Sequence, residues 1–226
     1  MGTSQPRSFA RKCRRPLAGQ KSCIAELSGP RRPSTGHLHC AHFGSSRGAM
    51  KVIGFCGYSG AGKTTLVEQL IERLRLAGQR VSVVKHAHHD FDIDQEGKDS
   101  WRHRQAGAYE VVIASNRRLA LIREYEVAAD PGVDALIAEL SDCDWALIEG
   151  FKHSPLLKIE VWRAATGRRA AYPEDPFVVA VCTDSPDELP VATGLPVLDL
   201  NDADAVAAFL LSDPARYDYL APMLRP

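Results

Sequence analysis

One nine-residue stretch constrains this chain more than any other feature. Gly57-Tyr-Ser-Gly-Ala-Gly-Lys-Thr-Thr65 satisfies G-x-x-x-x-G-K-[ST], with an apolar strand-like run before it and a helical pattern after it, which is the context such a loop needs. The glycines let backbone N–H groups turn inward onto phosphate oxygens with no Cβ in the way, and the following helix adds its positive end. Gly57, Ser59, Gly60, Ala61, Gly62, Lys63, Thr64 and Thr65 are the expected nucleotide-binding residues. Lys63 should reach the β- and γ-phosphates, Thr64 should offer its hydroxyl to Mg²⁺, and Thr65 should bond an α-phosphate oxygen.

The surrounding pattern fixes the fold class. Strands are predicted at 51–56, 81–86, 110–115, 119–123, 145–149, 157–162, 177–183 and 196–198, and helices at 63–77, 98–106, 133–140 and 203–211. Several strands are apolar along their whole length, as a parallel sheet covered on both faces requires. In the first helix Leu66, Leu70 and Leu74, with Val67 and Ile71, form one buried stripe, and Gly78 follows as a stop. Strand and helix alternate, so the chain reads as α/β, a mostly parallel sheet with helices on both faces. The apolar segment 156–162 is an edge-strand candidate for dimerisation.

Composition adds a division of charge. The chain is neutral overall, with 28 Lys+Arg and 28 Asp+Glu. Residues 1–49 nevertheless carry nine basic groups and a single acid, Glu26, leaving the remainder at −8. That opening stretch has few apolar residues and no helical or strand period, so it is expected to be a disordered basic extension. Met50 stands directly before the first strand, which makes it the expected true start and 50–226 the folded domain. Transit-peptide and nucleic-acid-arm readings of the basic stretch are the weaker alternatives. No apolar run approaches a membrane span, and six cysteines without a C-x-x-C pair fit a reducing cytoplasm rather than a disulfide framework or zinc ribbon.

Three further segments carry candidate chemistry. Trp145-Ala-Leu-Ile-Glu149 ends an apolar strand in an acid, placed to hold the Mg²⁺ shell or orient an attacking water. Lys85-His-Ala-His-His-Asp-Phe-Asp-Ile-Asp94 concentrates histidines and aspartates, followed by Asp99, Lys98, Arg102 and Arg104. Its second strand is expected to end beside the first, so the loop would swing over the phosphates as a lid. Asp92, Asp94 and Asp99 would then serve as Mg²⁺-shell residues and the basic residues as anion contacts. A plain polar loop over Phe91 and Ile93 competes with this. In extended geometry His86 and His88 oppose His89, which weakens a transition-metal reading. Phe177-Val-Val-Ala-Val-Cys-Thr-Asp184 ends in a carboxylate that can accept from guanine N1–H and N2–H₂, or else cap the next turn.

The phosphate loop, the Lys85–Asp94 segment, Gly97-Lys-Asp-Ser-Trp-Arg-His-Arg104 and Leu147-Ile-Glu-Gly-Phe-Lys152 together resemble the MobB family of molybdopterin-guanine dinucleotide biosynthesis adapter proteins. The resemblance runs from about Met50 onward, and residues 1–49 have no counterpart in it. It implies a P-loop NTPase fold, a homodimer, GTP with Mg²⁺ as ligands, and weak hydrolysis in which Lys63 and Glu149 are the catalytic candidates. It also implies partnership with MobA, the guanylyltransferase that completes the bacterial molybdenum cofactor, with molybdopterin as a further candidate ligand. Neither nucleic acid nor membrane is an expected partner. Two rivals share the architecture: a small-metabolite kinase or ligase whose His/Asp loop takes an acceptor, and a metallochaperone-like GTPase using His86, His88 and His89.

Overall fold

In the computed structural model, residues 48–87, 91–127 and 131–221 are described. They belong to the unit Gly44–Pro226. The expected disorder of the basic extension concerns residues that, up to 47, lie outside the described ones. Among these residues eight strands and four α-helices form, in the order β1 (Lys51–Cys56), α1 (Lys63–Leu76), β2 (Val81–Lys85), α2 (Asp99–Gln105), β3 (Glu110–Ala114), β4 (Leu119–Arg123), α3 (Val133–Ala138), β5 (Trp145–Glu149), β6 (Lys158–Val161), β7 (Val178–Thr183), β8 (Val197–Asp199) and α4 (Ala203–Ser212). Each coincides with a predicted element, the ends differing by a residue or two.

Six strands make one parallel sheet in the order β2-β5-β1-β6-β7-β8. The sheet's two faces are read directly from β1 and β5. Ile53, Phe55, Trp145 and Leu147 point to the face covered by α1 and α4, where Leu66, Leu70, Leu74, Val206 and Leu210 pack. Val52, Ala146 and Ile148 point the other way, against Val133 and Ile137 of α3. Burial of each such Leu, Ile or Val contributes about 1.5–3 kcal/mol, which is why these strands tolerate no polar alternation. α4 is capped by Asp202, whose side chain accepts from the Ala205 N–H at 2.9 Å, as its cap signal predicts.

Two expectations need correction. β2 does not end beside β1, because β5 lies between them and pairs with both. Nor is the 156–162 segment an edge: β6 is hydrogen-bonded on both sides, to β1 and β7, and all four of its residues are buried. A strand already paired on both sides has no free backbone groups to offer a second subunit.

β3 and β4 stand outside this sheet as an antiparallel hairpin. Val112 faces Leu121 across the ladder, and Ala114 faces Leu119. Val112, Leu119 and Leu121 are all exposed. Arg123 pairs with Glu110 across the hairpin and with Glu139 just beyond α3. No helix among the described residues is long and apolar enough to cross a membrane.

Candidate functional site

The carboxyl ends of β1, β5 and β2 open into a cleft of about 1060 Å³. Its floor is the loop between β1 and α1. Gly57 there has φ +132, and a Cβ on it would meet the Val161 carbonyl oxygen of β6 at 2.2 Å, so only glycine fits. Gly62, at φ +100, opens α1 without a side-chain cap, leaving the first N–H groups of the helix to whatever occupies the loop. Gly57, Ser59, Gly60, Gly62, Lys63, Thr64 and Thr65 line the cleft. Ala61 does not line it but is buried beneath in the core.

Lys63 bends back over the loop, its Nζ donating to the carbonyls of Gly57 and Tyr58, both at 2.8 Å. Burial pulls its ammonium pKa down, and the Glu149 carboxylate opposes that. Glu149 closes β5 with its carboxylate nearly buried, and Thr64 donates its hydroxyl to Oε1 at 2.7 Å. Lys85 Nζ stands 3.4 Å from the same oxygen. Loop lysine, helix threonine and strand acid thus converge, although Thr64 and Glu149 are 85 residues apart in sequence. Cys56 also borders the cleft. Its thiol is pushed up to about 12, first by burial and then by Glu160, so it stays protonated and is no nucleophile.

The far wall comes from residues 150–155 after β5. Gly150, at φ +102, passes 2.9 Å from His86 Cβ at its own Cβ position, and Phe151 takes φ +49 to stack on the His86 ring at 4.5 Å. Lys152 and His153 follow in the lining. This segment is held from behind by Lys158, a buried residue of β6. Its ammonium donates to Lys152 O at 3.0 Å, Ser154 O at 2.7 Å and Asp175 Oδ2 at 2.9 Å.

Other candidates lie elsewhere. Asp92, Asp94 and Asp99 do not line the cleft. Arg104 gathers Asp92 at 2.8 Å, Asp94 at 3.2 Å and Glu124 at 2.6 Å, while Ser100 donates to Asp94. The Arg104 hydrogen bond holds the Asp92 carboxyl below the usual range; for Asp94, burial pushes up but Ser100, the Gln95 N–H and Arg104 outweigh it. Asp99, in the first turn of α2, lies 3.8 Å from Arg102. His88, His89 and Asp90 lie outside the described residues, and among the described ones no three His, Cys, Asp or Glu side chains cluster to hold a metal. Asp184, at the end of β7, sits 3.4 Å from Arg163 and accepts from Ser185. Lys85 and Lys152 stand in the quoted segments without a role assigned there, while His153 in the lining and Lys158 behind it are contributors those segments miss.

Residues 52–184 match the family described as MobB, Molybdopterin guanine dinucleotide synthesis protein B. The chain belongs to the MobB family. A MobB relative from Escherichia coli (strain K12), named molybdopterin-guanine dinucleotide biosynthesis adapter protein, is 39% identical over 166 residues, covering 71% of this chain and 91% of the relative. A second of the same name, from Haemophilus influenzae, is 39% identical over 160 residues, covering 70% and 86%. Among solved structures, the MobB protein homolog from Bacillus stearothermophilus superposes with TM-score 0.57 at 24% identity, covering 74% of this chain and 99% of that one, and supports the fold. The MobB match takes in the phosphate loop, the described part of the His/Asp segment, Glu149 and Asp184.

Proposed function

We propose that this protein is a GTP-binding adapter in molybdopterin guanine dinucleotide biosynthesis, at most a slow GTPase, acting in the cytoplasm as a homodimer alongside a MobA-type guanylyltransferase. The observation that carries the nucleotide reading is the convergence of Lys63, Thr64 and Glu149 at a loop whose glycines leave room for phosphate. Membership in the MobB family supports the pathway. A hydroxyl and a carboxylate 2.7 Å apart suit Mg²⁺, a hard cation that takes one or two protein oxygens and fills its shell with phosphate and water. When bound it would offset triphosphate charge. Thr64 and Glu149 would hold it or its water, with Lys63 and Lys85 neutralising phosphate oxygens.

The lining of the cleft supports slow turnover. Its cations are lysines, and no arginine lines it among the described residues. A γ-phosphate-contacting arginine is worth about 10³–10⁵ in rate in related chemistry. An adapter that holds nucleotide does not need that acceleration. Asp184 supports guanine over adenine as an acceptor for N1–H and N2–H₂.

Calorimetry in Mg²⁺ tests the reading. GTP should bind more tightly than ATP, and Lys63→Ala should weaken GTP by at least about tenfold, the loss of one charge-assisted phosphate contact. Equal ATP binding would overturn the guanine assignment, and unchanged affinity in the variant would overturn the phosphate-loop role. Capture of the guanylyltransferase on immobilised protein in the presence of GTP tests the partnership.

A further inference from the structure

Arg163 lies immediately beyond β6, on the side of β1 opposite β5, and so on the other flank of the phosphate loop from the cleft. A Cβ built on Gly62 would lie 3.5 Å from its Nη2 and 3.7 Å from its Nε, so the guanidinium rests against the residue that opens α1. On its other side, Nε stands 3.4 Å from Asp184 Oδ2. That is ion-pair distance without hydrogen-bond alignment, and the buried Nε has no hydrogen-bond acceptor. The backbone that carries the side chain is fixed: Trp162 N–H donates to Cys182 O at 3.0 Å, and Arg163 O accepts from Thr166 N–H at 3.1 Å and Oγ1 at 2.8 Å. β6 is also pinned beside the loop by its ladder to β1, and its Val161 carbonyl fills the space a Cβ on Gly57 would need.

A single guanidinium therefore spans from the phosphate loop to the carboxylate at the end of β7. A carboxylate presents about four acceptor directions. Ser185 Oγ donates to Asp184 Oδ1 at 3.0 Å, and Arg163 draws on Oδ2. The remaining directions are enough for the paired N1–H and N2–H₂ donors of a 2-amino purine.

We propose that Arg163 is a positioning residue for base selection, tying Asp184 to the phosphate loop so that one side chain sets the separation between the phosphate anchor and the base-reading carboxylate. The proposal rests on the nucleotide reading above, with Asp184 as the base acceptor. Its ligand class is a purine nucleoside triphosphate with a 2-amino group.

The test is calorimetry in Mg²⁺ on the full chain and on Arg163→Met, Arg163→Lys, Asp184→Asn and the Arg163→Met/Asp184→Asn double variant. The ligands are GTP, ITP (which lacks the 2-amino group) and inorganic tripolyphosphate. The unaltered protein should favour GTP over ITP by at least about tenfold, since a site built to accept a donor rejects the analogue lacking it. Arg163→Met should bring that ratio close to one while tripolyphosphate affinity stays within about threefold, and Arg163→Lys, which keeps charge without the planar fork, should retain part of it. The double variant should discriminate no worse than Asp184→Asn alone, because both changes act through one carboxylate. An unchanged GTP/ITP ratio in Arg163→Met, or parallel loss of all three ligands in both Arg163 variants, would overturn the proposal. If the unaltered protein bound GTP no better than its Lys63→Ala variant, the nucleotide reading itself would fall, so the two failures are distinguishable.

Discussion

Lys158 shows how a charge can lie inside a strand. Its side chain is 2% exposed, and all three ammonium donors are taken, by two carbonyls and the Asp175 carboxylate. Removing the cation alone would leave Asp175 without its charge partner and two carbonyls without a donor. Lys158→Met should therefore lower unfolding free energy by about 3–5 kcal/mol, the cost of breaking a buried pair from one side, read as a drop in denaturation midpoint. A variant within 1 kcal/mol of the parent would show that the pair is dispensable. Glu160, two residues on, is buried too; desolvation raises its carboxyl, and the N–H groups of Ala171 and Tyr172 counter this. The apolar character of 156–162 says nothing about how many neighbours the strand has: its pairing to both β1 and β7, and the covering of Lys158 and Glu160 by partners 11 to 17 residues away, are set by tertiary structure.

At the scale of elements, the segment running from Phe91 through α2 to β4 is organised by Arg104, which joins two aspartates to Glu124. Asp92 and Asp94 have lowered pKa values in the folded chain. Groups depressed on folding stabilise fully above their unfolded values, near 3.9 for aspartate, and that contribution is lost as pH falls through the lowered folded values. Amide protection and protease resistance in 91–104 should thus be level between about pH 5 and 8 and fade only in stronger acid. Arg104→Met should expose the segment at neutral pH. Fading already at pH 6 would mean that another group holds it. The phosphate loop was legible because its chemistry is contiguous, nine residues between a strand and a helix. Glu149 was legible as the end of an apolar strand. The fate of the aspartates was not, because a carboxylate reads alike in sequence whether it meets magnesium or an arginine ten residues on. Arg163 likewise carried no local signal, since its place is set by the register of β6 between β1 and β7.

For the whole molecule, the β3–β4 hairpin is the unfinished part. A two-stranded sheet is marginal alone, and this one shows Val112, Leu119 and Leu121 to solvent on a shared face. The homodimer proposed above has its best supporting surface here. Sedimentation should give a dimer for the parent and a monomer for Val112→Glu/Leu121→Glu, two opposed positions made mutually repulsive. GTP affinity should be unchanged, because the hairpin contributes nothing to the lining of the cleft. A dimer that persists in that variant would move the interface elsewhere.

The other end of the sheet has its own use. Lys51 bridges to Asp218, and Tyr219 N–H donates to Met50 O, so the start of β1 and the last described turns meet at the pole where the parallel strands begin. The cleft opens at the pole where they finish. An anchor fixed at that first pole would therefore leave the glycine-rich mouth turned toward the surrounding buffer.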